Sequence, residues 1–260
     1  MHSRWVRQHP SPTPVAPPEL FQVAGHPLRW QLLGELSRSD RTVQELTGLV
    51  GEAQNLVSYH LRKLRDAGLV STRRSSFDGR DAYYAADLTR FGDLLSATAS
   101  ALHPGLAFTP PSSDDVVRRP VRVLFLCTGN SARSQIAEAL IRARSGGSVE
   151  ARSAGSQPKP MHPNAVRVLR EKLGVDPDRY EPKHLDLFVR ERFDWVISLC
   201  DKVREVCPAF PGEPQTIHWS IADPSAVTGR RESWAAFQDL TAELETRIGF
   251  LLAVASTTTT

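Results

Sequence analysis

The sequence predicts two domains of different fold class: a mainly helical domain with a β-hairpin over residues 19–101, and an α/β domain over residues 120–254. Three observations lead to this division. The first segment has apolar residues at helical spacing and ends in two short strands around an Asp-Gly turn. The second alternates apolar strands with helices, which is typical of a parallel sheet covered on both faces. Between them, residues 102–119 have the turn-rich, polar composition of a linker.

Composition narrows the class of protein. The chain has 260 residues, 40% of them hydrophobic, and its formal net charge of +3 argues neither for nor against a nucleic-acid partner. No apolar run approaches the roughly 18–20 residues that span a bilayer, so we expect no membrane association. Residues 1–18 carry five prolines and no apolar core, which predicts a disordered leader and not a secretory signal. An odd number of cysteines, three, does not fit a secreted disulfide scaffold, so we expect a cytoplasmic protein whose thiols do chemistry.

The helical domain begins with apolar residues at helical spacing between Leu20 and Leu36. Thr42 is the expected N-cap of a short helix, with Glu45 three residues later as its capping-box partner. A longer helix follows from about Glu52 to Ala67 and stops at Gly68, a natural C-terminal glycine.

The longer helix has an apolar and a polar face. Val57, Leu61 and Leu64 fall at i, i+4 and i+7, which is the inward face. A hairpin follows, and residues 53–80 hold six Lys/Arg against two Asp/Glu, so this part of the domain suits DNA. We expect the outward face in the major groove and the hairpin arginines on phosphates or in the minor groove. The candidate DNA-binding residues are Gln54, Asn55, Ser58, Tyr59, Arg62, Lys63, Arg73, Arg74 and Arg80; Tyr59 could instead pack the helix pair.

The run from Val57 to Val70, VSYHLRKLRDAGLV, resembles the recognition helix and wing entry of the ArsR-type repressor family. The resemblance covers roughly residues 19–100 and implies a winged helix-turn-helix homodimer that binds operator DNA; a winged domain used only for dimerisation is the alternative. One departure matters. Arsenic-sensing members carry a cysteine pair in the helix before the recognition helix, and here Thr42 to Thr47 contain none. DNA binding is therefore carried over, and metalloid sensing in this domain is not.

The second domain opens on a strand, a loop and a helix start. The apolar run from Val121 to Leu126 ends at Cys127, and Arg133 precedes a helix-forming run. Such a loop can wrap its N–H groups around a tetrahedral oxyanion, and Arg133 can hold two of its oxygens. Cys127 would lie at the bottom of that cup, where the field favours a thiolate; a buried strand-end cysteine is the alternative. The candidate oxyanion-binding residues are Thr128, Gly129, Asn130, Ser131, Ala132, Arg133 and Ser134.

Three further strands and three helices are expected downstream. The strands are residues 149–154, 193–199 and 216–219, and the helices are residues 165–173, about 185–191 and about 231–253. The prediction is a four-stranded parallel sheet with the oxyanion loop at the carboxyl end of its first strand, where open α/β sheets place ligands.

The thiols of this domain suggest a relay. Cys200 follows an apolar strand, so it could emerge on the same sheet edge as Cys127. Cys207 lies seven residues on, past a short segment able to coil or loop out. An oxyanion adduct on Cys127 could be displaced by Cys200 and the resulting disulfide passed to Cys207. Simple burial of both downstream cysteines is the alternative.

Residues of about 120–254 resemble the thioredoxin-coupled arsenate reductases, which share the fold of the low-molecular-weight tyrosine phosphatases. The resemblance is carried by CTGNSARSQ from Cys127 to Gln135, by Cys200, by Cys207-Pro208 and by Ala222-Asp223-Pro224. It implies arsenate as substrate and Asp223 as general acid. It also implies a Cys200–Cys207 disulfide, reduced by thioredoxin or by a glutaredoxin- or mycoredoxin-like protein.

The same resemblance implies no tightly bound cofactor beyond that external thiol reductant. Some members of the family bind potassium beside the loop, and the equivalents here would be Asn130, Glu138, Ser153 and Asp186. Two rival functions remain. The same cup accepts phosphate, so the domain could be a phosphatase, or it could only sense arsenic through its three thiols on behalf of the repressor domain.

Overall fold

The computed structural model of the protein describes residues 18–77, 79, 81–102 and 120–255. The predicted leader and linker lie outside the described residues except for Pro18 and Leu102, and Arg80 also lies outside them. Both predicted fold classes are confirmed, a winged helical domain and a four-stranded parallel α/β domain.

The winged domain is a bundle of helices with a three-stranded antiparallel sheet in the order β1-β3-β2. Its helices are α1 (Glu19–Ala24), α2 (Pro27–Leu36), α3 (Val43–Val50), α4 (Gln54–Asp66) and α5 (Leu88–Leu102), and its strands are β1 (Arg41–Thr42), β2 (Val70–Arg74) and β3 (Ala82–Ala86). The sequence does not predict strand β1, because two residues are too few to show a period of two. It pairs with β3 and ties the start of α3 to the wing.

The local signals in this domain act as predicted. Thr42 and Glu45 form a capping box, in which each side chain accepts the other residue's N–H. The cap starts α3 at the end of β1. Gly68 ends α4 with a φ of 69°, a left-handed conformation that favours glycine. Val57 and Leu61 are fully buried, which places the opposite face of α4 outside.

The α/β domain has the sheet order β5-β4-β6-β7, and all four strands are parallel. The strands are β4 (Val121–Cys127), β5 (Val149–Gly155), β6 (Trp195–Ser198) and β7 (Gln215–His218), and the helices are α6 (Arg133–Arg144), α7 (Pro163–Arg167), α8 (Asp201–Glu205) and α9 (Arg230–Ala255). A π-helical turn, Val168–Lys172, continues α7, and single 3-10 turns lie at Pro177–Arg179, Leu185–Leu187 and Pro224–Ala226.

One predicted element is wrong. The helix expected over about 185–191 is a single 3-10 turn, Leu185–Leu187. The preceding residues are tied to the sheet edge, where Lys183 O accepts the Gly155 N–H at 2.9 Å. Few residues then remain before β6, and the chain uses i to i+3 bonds such as Phe188 N to Leu185 O.

The sheet places two thiols at one edge. The chain runs from β4 outward to β5 and then back across β4 to β6, so β4 and β6 are neighbours whose carboxyl ends meet at a switch point. Leu126 of β4 pairs with Ser198 of β6, which brings Cys127 and Cys200 to the same end of adjacent strands. Any ligand site of this domain is expected there.

Each domain has its own apolar core, and the two meet through polar side chains. Asp40, next to β1, accepts from both Nη atoms of Arg247 on α9 at 2.9 and 3.2 Å. Ser39 beside it accepts the His218 N–H of β7 at 2.9 Å. Within the described part of the chain, no helix is long and apolar enough to cross a membrane.

Candidate active site

The loop between β4 and α6 forms a cup around Cys127. The thiol is 2% exposed, and its sulfur accepts the Asn130 N–H at 3.2 Å. Ser134 Oγ, in the first turn of α6, lies 3.0 Å from the same sulfur. A loop amide therefore faces the thiol, and the first turn of α6 lies beside it. Loop amides and a helix N-terminus are the two features that bind an oxyanion.

Asn130 holds the shape of this loop. Its φ of 43° lies in the left-handed region, which asparagine tolerates better than most residues. Its Oδ1 accepts the backbone N–H of Lys183 at 2.7 Å, which fixes the amide orientation. Nδ2 then donates to Ser134 Oγ at 2.8 Å and to Ser153 Oγ at 2.9 Å. Since Ser134 accepts this bond, its own hydrogen can point at the Cys127 sulfur and stabilise a thiolate.

The outer side of the loop is bound to a second segment. The carbonyl oxygens of Thr128 and Ser131 accept backbone N–H groups of Gln157 and His162 at 2.8 and 3.0 Å. These bonds turn the loop carbonyls away from the thiol. Gly155 permits the close approach, because a Cβ at that position would lie 2.6 Å from Thr128 O.

Arg133 is buried and points across the mouth of the cup to the loop that carries Asp223. Its Nη1 donates to Ile221 O at 2.9 Å and its Nη2 to Asp223 Oδ2 at 3.0 Å. Burial opposes ionisation of Asp223, but Arg133 and the two donors of Ser225 outweigh it and hold the pKa of the carboxyl below its usual value. An anion in the cup would compete with Asp223 for this guanidinium.

The second thiol lies against the cup, and the third is farther along the chain. Cys200 is 1% exposed, and its sulfur is 3.3 Å from Thr128 Oγ1. It is the N-cap residue of α8. Cys207 follows α8, is partly buried, and burial raises the pKa of its thiol.

Potassium binding by Asn130, Glu138, Ser153 and Asp186 stays a prediction, and the structure gives the present partners of these residues. The Asn130 oxygen already accepts from Lys183 and from Gln135 Nε2, and Glu138 pairs with Arg142 at 2.8 Å. Asp186 is 75% exposed and pairs with His184 at 3.2 Å. The described residues contain no cluster of three or more His, Cys, Asp or Glu that could hold a metal ion.

The predicted DNA-binding residues fall into two groups. Six of them lie on the outward face of α4, exposed or half-buried: Gln54, Asn55, Ser58, Tyr59, Arg62 and Lys63. The wing differs. Arg74 donates to Gly79 O at 3.1 Å within the hairpin, and Arg73 is turned away from the α4 surface towards the α/β domain, where it pairs with Asp201 at 2.9 Å.

The sequence interpretation misses two residues, Gly155 and Asp201. Gly155 stands just after a predicted strand, which is a weak indication of a special role. The reason that glycine is needed there, the close approach of Thr128, cannot be seen in the sequence. Asp201 gives no such indication, because an acidic residue at the start of a helix is ordinarily a solvated one. Ser153, predicted as a potassium ligand, also accepts a hydrogen bond from the Asn130 amide at 2.9 Å.

Two family models match the chain. The model of the low molecular weight phosphotyrosine protein phosphatases matches residues 122–258, and the model of the arsR family of bacterial regulatory proteins matches residues 26–72. The first match spans the whole cup and both downstream cysteines. The second spans α4 and the start of the wing.

Individual relatives match the α/β domain. An arsenate reductase of Halalkalibacterium halodurans is 35% identical over 127 residues, which are 48% of this chain and 91% of the relative. One of Bacillus subtilis is 34% identical over the same shares of both chains. Among solved structures, an arsenate reductase from Archaeoglobus fulgidus is 27% identical, with a TM-score of 0.41 over 50% of this chain and 98% of that one.

Proposed function

The chain belongs to the low molecular weight phosphotyrosine protein phosphatase family, and on that premise we propose that its α/β domain reduces arsenate to arsenite. The observation that carries the proposal is the 3.3 Å contact between the Cys200 sulfur and the Thr128 hydroxyl of the cup. Hydrolysis of a phosphate ester needs only one thiol, because water releases the phosphate from it. Reduction of an oxyanion needs two electrons, which a pair of thiols supplies when a disulfide forms. A second thiol held against the cup therefore favours reduction, and the relatives named arsenate reductases support the same substrate.

In the first step, arsenate enters the cup and Cys127 attacks it. The loop amides and the α6 N-terminus hold its oxygens, and Arg133 turns from Asp223 to form a fork with two of them. A Cys127 S–As bond forms and an As–O bond breaks. The departing hydroxide takes a proton and leaves as water.

Asp223 supplies that proton. An anion that takes Arg133 removes the main group that favours the carboxylate form and adds negative charge nearby. Both changes raise the pKa of Asp223, which prepares it to act as a general acid. The 3.0 Å pair between Arg133 and Asp223 thus belongs to the state before binding.

The two electrons pass to arsenic in one step, and a thiol–disulfide exchange then moves the new disulfide. The Cys200 thiolate attacks the Cys127 sulfur, the S–As bond breaks with its electron pair on arsenic, and arsenite leaves. Cys207 then attacks the Cys200 sulfur of the new disulfide, and Cys127 departs as a thiolate. An external dithiol protein of the thioredoxin, glutaredoxin or mycoredoxin type reduces the Cys200–Cys207 bond. Such a cycle requires reduced thiols at rest, which suits the cytoplasm.

For the winged domain we propose operator binding as a homodimer. The match to the arsR family and the exposed basic face of α4 support this role. Lys63 lies over the Tyr59 ring at 5.8 Å from its centroid, so both side chains stand on the outward side of the helix. One chain would then both bind operator DNA and reduce arsenate.

The relay is tested by replacing one thiol at a time. Cys200→Ser should abolish multiple-turnover arsenate reduction with thioredoxin and leave the attack by Cys127 intact, seen as one adduct per chain. Cys207→Ser should stop one step later, with a Cys127–Cys200 disulfide. Arsenite release by the full chain and mass spectrometry of the thiols measure both outcomes.

The rival functions give different results in the same assay. Sustained turnover by Cys200→Ser would refute the relay. Hydrolysis of a phosphotyrosine ester far faster than arsenate reduction would make the domain a phosphatase. A chain that binds arsenic through its thiols without turnover would be a sensor.

A further inference from the structure

Asp201, the first residue of α8, is a carboxylate buried between the two domains, with a fully buried side chain. From its own domain it accepts from Ser220 Oγ at 2.6 Å and contacts His218 Nε2 at 3.1 Å. From the winged domain it accepts from Arg73 Nη2 at 2.9 and 3.1 Å and from the Ser76 N–H at 2.7 Å. Burial opposes ionisation, but these donors hold the pKa of Asp201 far below its usual range, so the residue is a carboxylate.

The other end of α8 is also held by the winged domain. Arg204, near the end of this five-residue helix, forms an ion pair with Glu45 of α3. Its guanidinium also lies over the Tyr83 ring of β3, 5.3 Å from the centroid. The helix that separates the two downstream cysteines is thus clamped at both ends by side chains of the winged domain.

The conformation of α8 conflicts with a disulfide bond between Cys200 and Cys207. Cys200 caps the start of α8 and Val206 caps its end, so at a rise of about 1.5 Å per residue the helix sets these two Cα atoms about 9 Å apart. A disulfide needs Cα atoms less than about 7 Å apart. We therefore expect formation of the Cys200–Cys207 bond to unwind part of α8. Asp201 and Arg204 lie between the two cysteines, so their contacts must shift with the helix.

We propose that the winged domain controls the last bond of the relay: Arg73, Ser76 and Glu45 hold α8 helical, and the Cys200–Cys207 disulfide forms only when this clamp opens. The inference rests on the proposed thiol relay. The clamp residues touch no reacting atom and act through Asp201 and Arg204. Contacts that exist only in the dithiol state stabilise that state and make the disulfide less favourable.

The test isolates the last bond of the relay. Cys127→Ser leaves Cys200 and Cys207 as the only thiols of a chain that has three cysteines. In mixtures of oxidised and reduced dithiothreitol, the two cysteines lose two protons and two electrons to the oxidised reagent, which becomes the dithiol. Alkylation and mass spectrometry then give the equilibrium constant of the full chain.

In that background, Arg73→Gln should favour the disulfide about tenfold more than the parent, a potential lower by about 30 mV for a two-electron couple. Arg73→Lys keeps the charge and one donor and should restore most of the parent value. Arg74→Gln is the matched control, because Arg74 donates to Gly79 O at 3.1 Å within the hairpin. It should leave the equilibrium unchanged.

An unchanged equilibrium in Arg73→Gln, or an equal shift in Arg74→Gln, would overturn the clamp. If Arg73→Gln does not fold, Glu45→Gln opens the other end of α8 and must shift the equilibrium in the same direction for the proposal to stand. The measurement uses no arsenate. Failure of the wild-type chain to make arsenite would therefore refute the proposed reaction separately.

Discussion

At the scale of single residues, the site depends on which partner each side chain keeps. Arg133 can pair with Asp223, as it does at 3.0 Å, or with an oxyanion in the cup, but its fork cannot serve both fully. Asn130 has no such choice, because Lys183 N fixes its amide at 2.7 Å. Hydrogen bonds therefore hold the loop around Cys127 in one shape, whereas Asp223 loses its Arg133 partner when an anion binds.

Two substitutions test the acid. Asp223→Asn removes a proton donor and should lower kcat for arsenate reduction about 100-fold or more.

Ser225→Ala removes the 2.6 Å bond that favours the Asp223 carboxylate, so it should raise the pKa of Asp223. Since the acid acts in its protonated form, the fall of kcat on the alkaline side should move to higher pH. The measurement is kcat of each variant as a function of pH. If the alkaline fall of kcat stays at the same pH in Ser225→Ala, Asp223 is not the general acid.

At the scale of elements, the end of β5 shapes the loop after β4. The strands pair in parallel with Cys127 opposite Gly155, so the loop must pass directly over the glycine. A side chain there would meet the backbone of Thr128 and Asn130 at 2.6 and 2.8 Å. Backbone cannot move aside as a flexible side chain can, so the loop would have to shift.

Gly155→Ala should therefore lower kcat/KM for arsenate at least tenfold, because a loop shift of a few tenths of an ångström misplaces the amides that hold the anion. Gly249→Ala is the matched control. Gly249 lies on the exposed side of α9, where an added methyl group would meet no atom within 4 Å, and the change should leave kcat/KM unchanged. Equal activity of the two variants would show that the close approach does not matter.

At the scale of the whole molecule, one side chain of the winged domain has two possible partners, DNA and the α/β domain. Arg73 belongs to the wing, where the sequence predicts a contact with DNA, and it is bound to Asp201 in the described conformation. If disulfide formation opens α8, the guanidinium becomes able to reach DNA. Redox state and DNA binding are then linked, and linkage acts in both directions.

This linkage predicts how two arginines differ. Arg62→Ala on α4 should weaken binding to a DNA duplex from the region upstream of the chain's own gene, in both the dithiol and the disulfide state. Arg73→Ala should weaken binding of the disulfide state only. Fluorescence anisotropy at one fixed salt concentration measures both, since phosphate contacts depend on salt. Equal effects of Arg73→Ala in the two states would refute the linkage.

The local parts of the site were open to prediction. The cup follows from a strand, a cysteine, a five-residue loop and an arginine that starts a helix, and the Thr42 capping box follows from a four-residue pattern. Elements of only a few residues could not be predicted from the sequence. Strand β1 and helix α8 are too short to show a period, and the turn at Leu185–Leu187 is shaped by a bond to a distant strand.

The sequence by itself determined the two fold classes, the oxyanion loop, the three thiols and the inward face of α4, because each depends on neighbours within a turn or a strand. The tertiary structure alone decided that Arg73 pairs with Asp201, a residue 128 positions away, and that Glu45 pairs with Arg204 across 159 positions. No periodicity relates residues so far apart. These pairs form because the two cores pack side by side, which brings opposite charges of the two domains together where they are buried.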